Sequence, residues 1–181
     1  VMSYAAKWDC LARVTRSHAM RTLRTSGLFA TTAEGRSVED VLGVAGIAPI
    51  YRNLITRWLN RLADEGILYR QGERFVAREP LQEPPFSALW QEAEHLFADN
   101  RPLLSYVAHC GALLERVLRG KENPLQTLFP EGSTEMAEAI YEQSTTMRYI
   151  NALAASGFEA VLRNAGNGSL RVMEVGAGTG G

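Results

Sequence analysis

Arg171-Val-Met-Glu174-Val-Gly176-Ala-Gly178-Thr-Gly180-Gly181 is the stretch that decides how this chain is read. The apolar residues of 170–175, with Gly168 behind them and glycines ahead, predict a buried strand running into a glycine-rich turn. Such a strand suits the first position of an open α/β sheet, whose nucleotide-like ligands lie outside the carboxyl ends of the strands. The 181 residues stop inside that turn, so the sequence is expected to be a fragment. Gly176, Gly178 and Gly181 satisfy the dinucleotide pattern G-x-G-x-x-G, in which a helix N-terminus receives a pyrophosphate. Glu174, two residues before the first glycine, adds a second option: a carboxylate there attracts a cationic ligand, and bare backbone lets it come close. A glycine-rich linker with no ligand is the plain alternative, against which the preceding Val-Met-Glu-Val run argues.

The chain is 46% hydrophobic and 22% charged, a make-up that fits one globular domain or a domain plus part of another. Its formal net charge of −1 provides no global attraction for nucleic acid or anionic lipid. Cys10 and Cys110 lack C-x-x-C spacing and read as reduced thiols in a cytosolic setting, each a small apolar side chain. No apolar run approaches the roughly 20 residues of a membrane span, and the N-terminal stretch has no signal-peptide core. A cytoplasmic location with no membrane partner is therefore expected.

Upstream, helical periodicity dominates. Tyr4, Trp8, Leu11, Ala12, Ala19, Met20 and Leu23 predict an amphipathic helix ending near Gly27. Ser37 followed by Asp40 predicts a capped helix start, and a second helix after Pro49 carries Ile50, Leu54, Ile55, Trp58, Leu59 and Leu62 on one face, with Gly66 beyond its end. Residues 67–76 read as two short strands around Gly72. Helix, turn, longer helix and hairpin form the pattern of a winged helix. Arg52, Arg57 and Arg61 could face phosphates on such a module, yet 36–78 holds seven arginines against five acids, and much of the candidate helix is apolar. Solvated surface arginines are the plainer reading, a winged helix can equally serve as a packing or dimerisation unit, and no nucleic-acid partner is expected.

Three prolines make 79–86 a linker. Two helices follow, over 87–98 and from Pro102 to near Gly120, the second mostly core through Leu103, Leu104, Val107, Leu113, Leu114, Val117 and Leu118. His95 and His109 lack metal-ligand spacing and read as structural. A long helix is predicted over 134–162, its stripe of Met136, Ile140, Met147, Ile150, Ala154 and Val161 interrupted by Gln143 and Ser144. Buried polar groups need partners, which here are a neighbouring backbone group or a cofactor lying against the helix.

Asn123-Pro-Leu-Gln-Thr-Leu-Phe-Pro-Glu-Gly-Ser133, Ile140-Tyr-Glu-Gln-Ser144, Arg148-Tyr-Ile-Asn151 and Met173-Glu-Val-Gly-Ala-Gly-Thr-Gly-Gly181 together resemble the N-terminal part of the C-methyltransferase domains of modular polyketide synthases. Within the last of these, E-x-G-x-G-x-G resembles the first motif of class I S-adenosylmethionine-dependent methyltransferases. The resemblance extends more loosely over the winged-helix-like region. It implies a mainly α fold with a small winged-helix-like β hairpin, forming a lid, and a C-terminal strand that begins a truncated Rossmann-like α/β methyltransferase core. The implied division is 1–78 and 87–168 as lid, 79–86 as proline-rich linker and 169–181 as the start of the core.

The implied reaction moves a methyl group from S-adenosylmethionine to the α-carbon of a β-ketoacyl chain, held by phosphopantetheine on an acyl carrier protein. Partners are that carrier and neighbouring synthase domains. By the same resemblance, Glu174, Gly176, Gly178 and Gly180 line the methionine end of the cofactor, and Tyr141, Ser144 and Tyr149 approach from the lid. The family's ribose-binding acid and histidine-centred base lie beyond Gly181, so no catalytic residue is expected in this chain, His18, His95 and His109 included, and no metal ligands. The resemblance implies that the fragment is inactive alone. Two alternatives are a vestigial methyltransferase-like structural adaptor in a synthase loading module and, behind it, a winged-helix DNA-binding protein.

Overall fold

The computed structural model describes residues 4–82, 85–165, 171–173, 175 and 176. The chain divides into two compact units, Val1–Leu96 with Cys110–Asn123, and Phe97–His109 with Pro124–Gly181.

In the first unit, α1 (Tyr4–Thr25) buries Cys10, Leu11, Val14, Ala19 and Leu23. It stops at Gly27, whose φ of 75° favours a residue without Cβ. There the N–H of Leu28 donates to the Leu23 carbonyl at 3.1 Å and that of Gly27 to Arg24 at 2.9 Å. This closing turn satisfies carbonyls that the helix end would leave open, and it drops an apolar residue, Leu28, into the core. The same device closes α3 (Arg52–Asp64), with Gly66 at φ 74° and Ile67 donating to Leu62 at 2.9 Å. Both helix ends stand where the glycines predict them.

Between these helices, α2 (Val38–Ala45) starts in a full capping box. The Asp40 N–H donates to Ser37 Oγ at 3.1 Å and the Ser37 N–H to the Asp40 carboxylate at 3.0 Å. The strands β1 (Gly35–Arg36), β2 (Leu68–Gln71) and β3 (Arg74–Ala77) form an antiparallel sheet in the order β1-β3-β2. Its register pairs Gly35 with Val76 and Leu68 with Ala77. The sequence of elements is that of a winged helix, and β1 is an addition to the predicted hairpin. Leu23, Leu28, Phe29, Val41, Ile55, Leu59, Leu62, Leu68 and Leu118 fill the core. Each fully buried side chain of this size contributes roughly 1.5–3 kcal/mol of gross burial free energy.

Leu81, inside the proline-bearing 79–86 stretch, is buried, and its N–H donates to the Phe29 carbonyl at 2.8 Å. The following helix α4 (Phe86–Leu96) takes in Phe86 as its first residue and packs on α1. Helix α5 (Arg101–Leu118) gives residues 110–118 to this unit and 101–109 to the other. It is less of a core helix than its apolar content suggests: Leu104, Val117 and Leu118 are buried, whereas Leu103, Val107, Leu113 and Leu114 are half-buried. Ile50 also departs from expectation, being 84% exposed, because Pro49–Tyr51 is a separate 3-10 turn whose phase differs from that of α3.

The second unit continues through 3-10 turns Pro124–Thr127 and Pro130–Gly132 to α6 (Glu135–Glu138), a π-helical turn (Ala139–Gln143) and α7 (Thr145–Asn164). The single helix predicted over 134–162 is therefore broken. Ser144 takes an extended ψ of 140° and caps α7, a place where a serine hydroxyl competes well with helical backbone bonds. The predicted stripe is also not buried: α7 has no buried residue, and Ile150, Leu153, Phe158 and Val161 are exposed. Amphipathic spacing marks a face that needs covering, and nothing among the described residues covers it.

The buried strand expected at 170–175 is corrected as well. Residues 171–173 and 175 are outside any strand and exposed, Met173 at 85%. A strand needs neighbours for its N–H and C=O groups, and none is paired to these residues among those described.

Candidate functional site

The break between the π-helical turn and α7 gathers three of the residues singled out in the sequence. Tyr141 lies within the turn, Ser144 at the break, and Tyr149 in the second turn of α7. Ser144 is 4% exposed. Its Oγ accepts the Met147 N–H at 3.4 Å and its carbonyl accepts the Arg148 N–H at 2.9 Å. Of the two partners open to this serine, a neighbouring backbone group is the one the structure supplies. Thr145 Oγ1 donates to the Asp99 carbonyl, and Asn151 Nδ2 donates back across the break to the Tyr141 carbonyl at 3.2 Å. Tyr141 and Tyr149 are exposed, the latter at 66%, and among the described residues their hydroxyls have no hydrogen-bond partner. A π-turn is rare in proteins and recurs at functional sites.

Gly176 is exposed at φ 80°, with open space where a Cβ would stand. Among the described residues no hydrogen bond joins it to Tyr141, Ser144 or Tyr149. Glu174, Gly178 and Gly180 lie outside the described residues. The sequence reading names Asn151 only as the end of the Arg148-Tyr-Ile-Asn151 stretch, and it misses Thr145. The signal that could have found their roles is a donor placed within reach of a helix break.

The histidines have other surroundings. His109 Nε2 is 3.0 Å from the Gln126 carbonyl, and Gln126 Oε1 accepts the Glu131 N–H at 2.7 Å, so the imidazole anchors the 124–133 loop. His95 is exposed. The His18 ring meets the Phe86 ring edge-on at 4.9 Å, and its buried Nε2 has no hydrogen-bond partner. Burial, and then the Arg21 charge, hold this imidazole below its ordinary value. Among the described residues no group of three or more His, Cys, Asp or Glu is placed to hold a metal ion.

On the winged-helix unit, Arg52 pairs with Glu39 at 2.5 Å and Arg61 with Glu65 at 2.5 Å, which takes two of the three arginines of α3 out of a phosphate-binding strip. A groove of about 480 Å³ borders α1 and α4, but its cations are also engaged: Arg13 grips Glu92 at 2.5 and 2.9 Å, and Arg16 pairs with Glu65.

No family model matches the chain. Its relatives include pyochelin synthetase PchF of Pseudomonas aeruginosa, 30% identical over 166 residues, which is 87% of this chain and 9% of that protein. Polyketide synthase ThaQ of Burkholderia thailandensis is 27% identical over 88% of this chain and 8% of its own length. The chain thus spans under a tenth of these relatives. Among solved structures, the DszA carbon methyltransferase shares the fold with a TM-score of 0.81 at 24% identity, over 97% of this chain and 46% of that one. The chain shares the fold of this carbon methyltransferase and is related in sequence to polyketide synthases. The broken helix and the exposed tyrosines beside it place open hydroxyls next to bare apolar surface. Among the described residues no helix is long and apolar enough to cross a membrane.

Proposed function

We propose that the chain is the N-terminal part of a domain that transfers a methyl group from S-adenosylmethionine to the α-carbon of a β-ketoacyl chain on the phosphopantetheine arm of an acyl carrier protein. Its partners are that carrier and neighbouring synthase domains, in the cytoplasm. Residues 1–78 and 87–168 form a lid, 79–86 connects its parts, and 169–181 opens the core. The observation that carries this reading is a pair of coverages: nearly all of this chain matches less than half of a carbon methyltransferase.

The residues present fit the donor as far as they are described. Gly176 offers bare backbone at a positive φ, suited to close approach, and the hydroxyls of Tyr141 and Tyr149 are open to a ligand. In this reading Glu174, Gly176, Gly178 and Gly180 hold the methionine end, while Tyr141, Ser144 and Tyr149 close over it. When bound, the donor supplies an electrophilic methyl group. The chain's own work is to orient and to exclude water, and the exposed apolar face of α7 suits a cover seated on a core. The base that forms the enolate and the acid that holds the ribose fall outside the 181 residues, so the chain alone is inactive.

Calorimetry with S-adenosylmethionine on a polypeptide extended by about 150–200 residues, one further domain, tests the proposal. Binding is expected there, with no methylation of a β-ketoacyl carrier by the 181 residues alone. An extended polypeptide that ignores the donor sinks the enzyme and leaves the structural adaptor.

A further inference from the structure

We infer that Asn151 is a positioning residue for the methyl-donor site, because it ties α7, which carries Tyr149, to the π-turn, which carries Tyr141. The inference rests on the function proposed above. Its ground is the accounting of backbone bonds at the break. Ser144 leaves helical geometry at ψ 140°, so carbonyls in the last turn before it lose the N–H groups that a continuing helix would bring. Tyr141 is in that turn, and its carbonyl accepts from Asn151 Nδ2, ten residues on, at 3.2 Å. The other side chains at the corner act on one flank only: Ser144 caps the start of α7, and Thr145 holds that same start to the Asp99 carbonyl.

Among the described residues Asn151 thus hydrogen-bonds across the break, and the spacing of the two tyrosines depends on it. A helix break with both ends capped but no tie across it would leave Tyr141 free to swing relative to Tyr149. Sites that hold a ligand between two elements need that freedom removed before binding. An amide is required: Asp at 151 keeps the shape and loses the donor, setting a carboxylate against a carbonyl oxygen.

The test uses the extended polypeptide with N151D and N151A, reading the Kd for S-adenosylmethionine by calorimetry, KM for the donor against kcat, and melting temperature. Loss of a tie of this kind is expected to weaken donor binding and raise its KM about tenfold, with kcat at saturating donor changed far less. Should N151D fail to fold, N151A carries the same expectation without the added charge. Variants that melt lower but bind the donor as the wild type does overturn the inference and reduce Asn151 to a structural cap. A wild-type polypeptide that binds no donor overturns the proposed function, and this inference with it.

Discussion

The winged-helix core and α7 both carry apolar side chains and use them in opposite ways. In the first, α2, α3 and the sheet surround Phe29, Ile55 and Leu59, all fully buried, and glycine turns close α1 and α3 so that the next apolar residue points inward. In the second, a 20-residue helix holds Tyr149, Ile150, Leu153, Phe158, Val161 and Leu162 with none buried. One region completes its own core; the other displays a face whose energetic return comes only from a further surface.

The sharpest way to break this comparison is a pair of truncations. Leu59→Ala is expected to cost about 2–5 kcal/mol in chemical denaturation, since its side chain is wholly enclosed, whereas Phe158→Ala should stay within about 0.5 kcal/mol in the 181 residues. In the extended polypeptide the Phe158→Ala cost should rise above about 1 kcal/mol; no rise would mean that α7 is not a seat for the core.

Next in size is Gly111→Ala on α5. Alanine there gains about 0.5–1 kcal/mol of helix propensity, but its Cβ would stand 2.3 Å from the His18 ring. Overpacking of this kind costs about 1–3 kcal/mol, so net destabilisation is expected, relieved when His18→Ala is added. Equal stability of G111A and wild type would show that the ring moves aside freely.

The smallest effect is a pH slope. Because burial holds the His18 imidazole below 6.5, the folded state prefers the neutral ring. That contribution is complete above the unfolded value and is lost as pH falls through the lower folded one. Arg21 is the charged group that adds to this, while the carboxylates of Glu34, Asp40 and Glu65, held low mainly against burial or by hydrogen bonds, titrate further down. Melting temperature should therefore drop as pH falls below about 6.5, and His18→Phe should flatten that drop. A slope unchanged in the variant would place its origin elsewhere.

Local chemistry was legible in the sequence; what lay across a surface was not. Ser37 with Asp40, and the glycines at 27 and 66, declared helix starts and ends because caps are made by residues within one turn. The two residues of β1 carry no period and could not be seen. The run 134–162 showed a polar interruption at Ser144, but a backbone partner and a ligand leave the same mark, and only geometry distinguishes an N-cap from a pocket. The apolar stripe of α7 was read as buried since spacing records a face and not its cover. Of the candidate site, the structure sets Tyr141 in the π-helical turn, Ser144 at the break and Tyr149 on α7, and it describes Gly176, while the contact of His18 with Gly111 joins residues too distant for any motif.

Leu81 has a consequence for the stretch between the wing and α4. Moored at its midpoint by a buried side chain and one bond to Phe29, the connection works as two short tethers instead of one long one. Slack introduced ahead of the mooring pulls on the sheet, and slack introduced behind it is taken up by the approach to α4, so chain length there is tolerated unequally on its two sides.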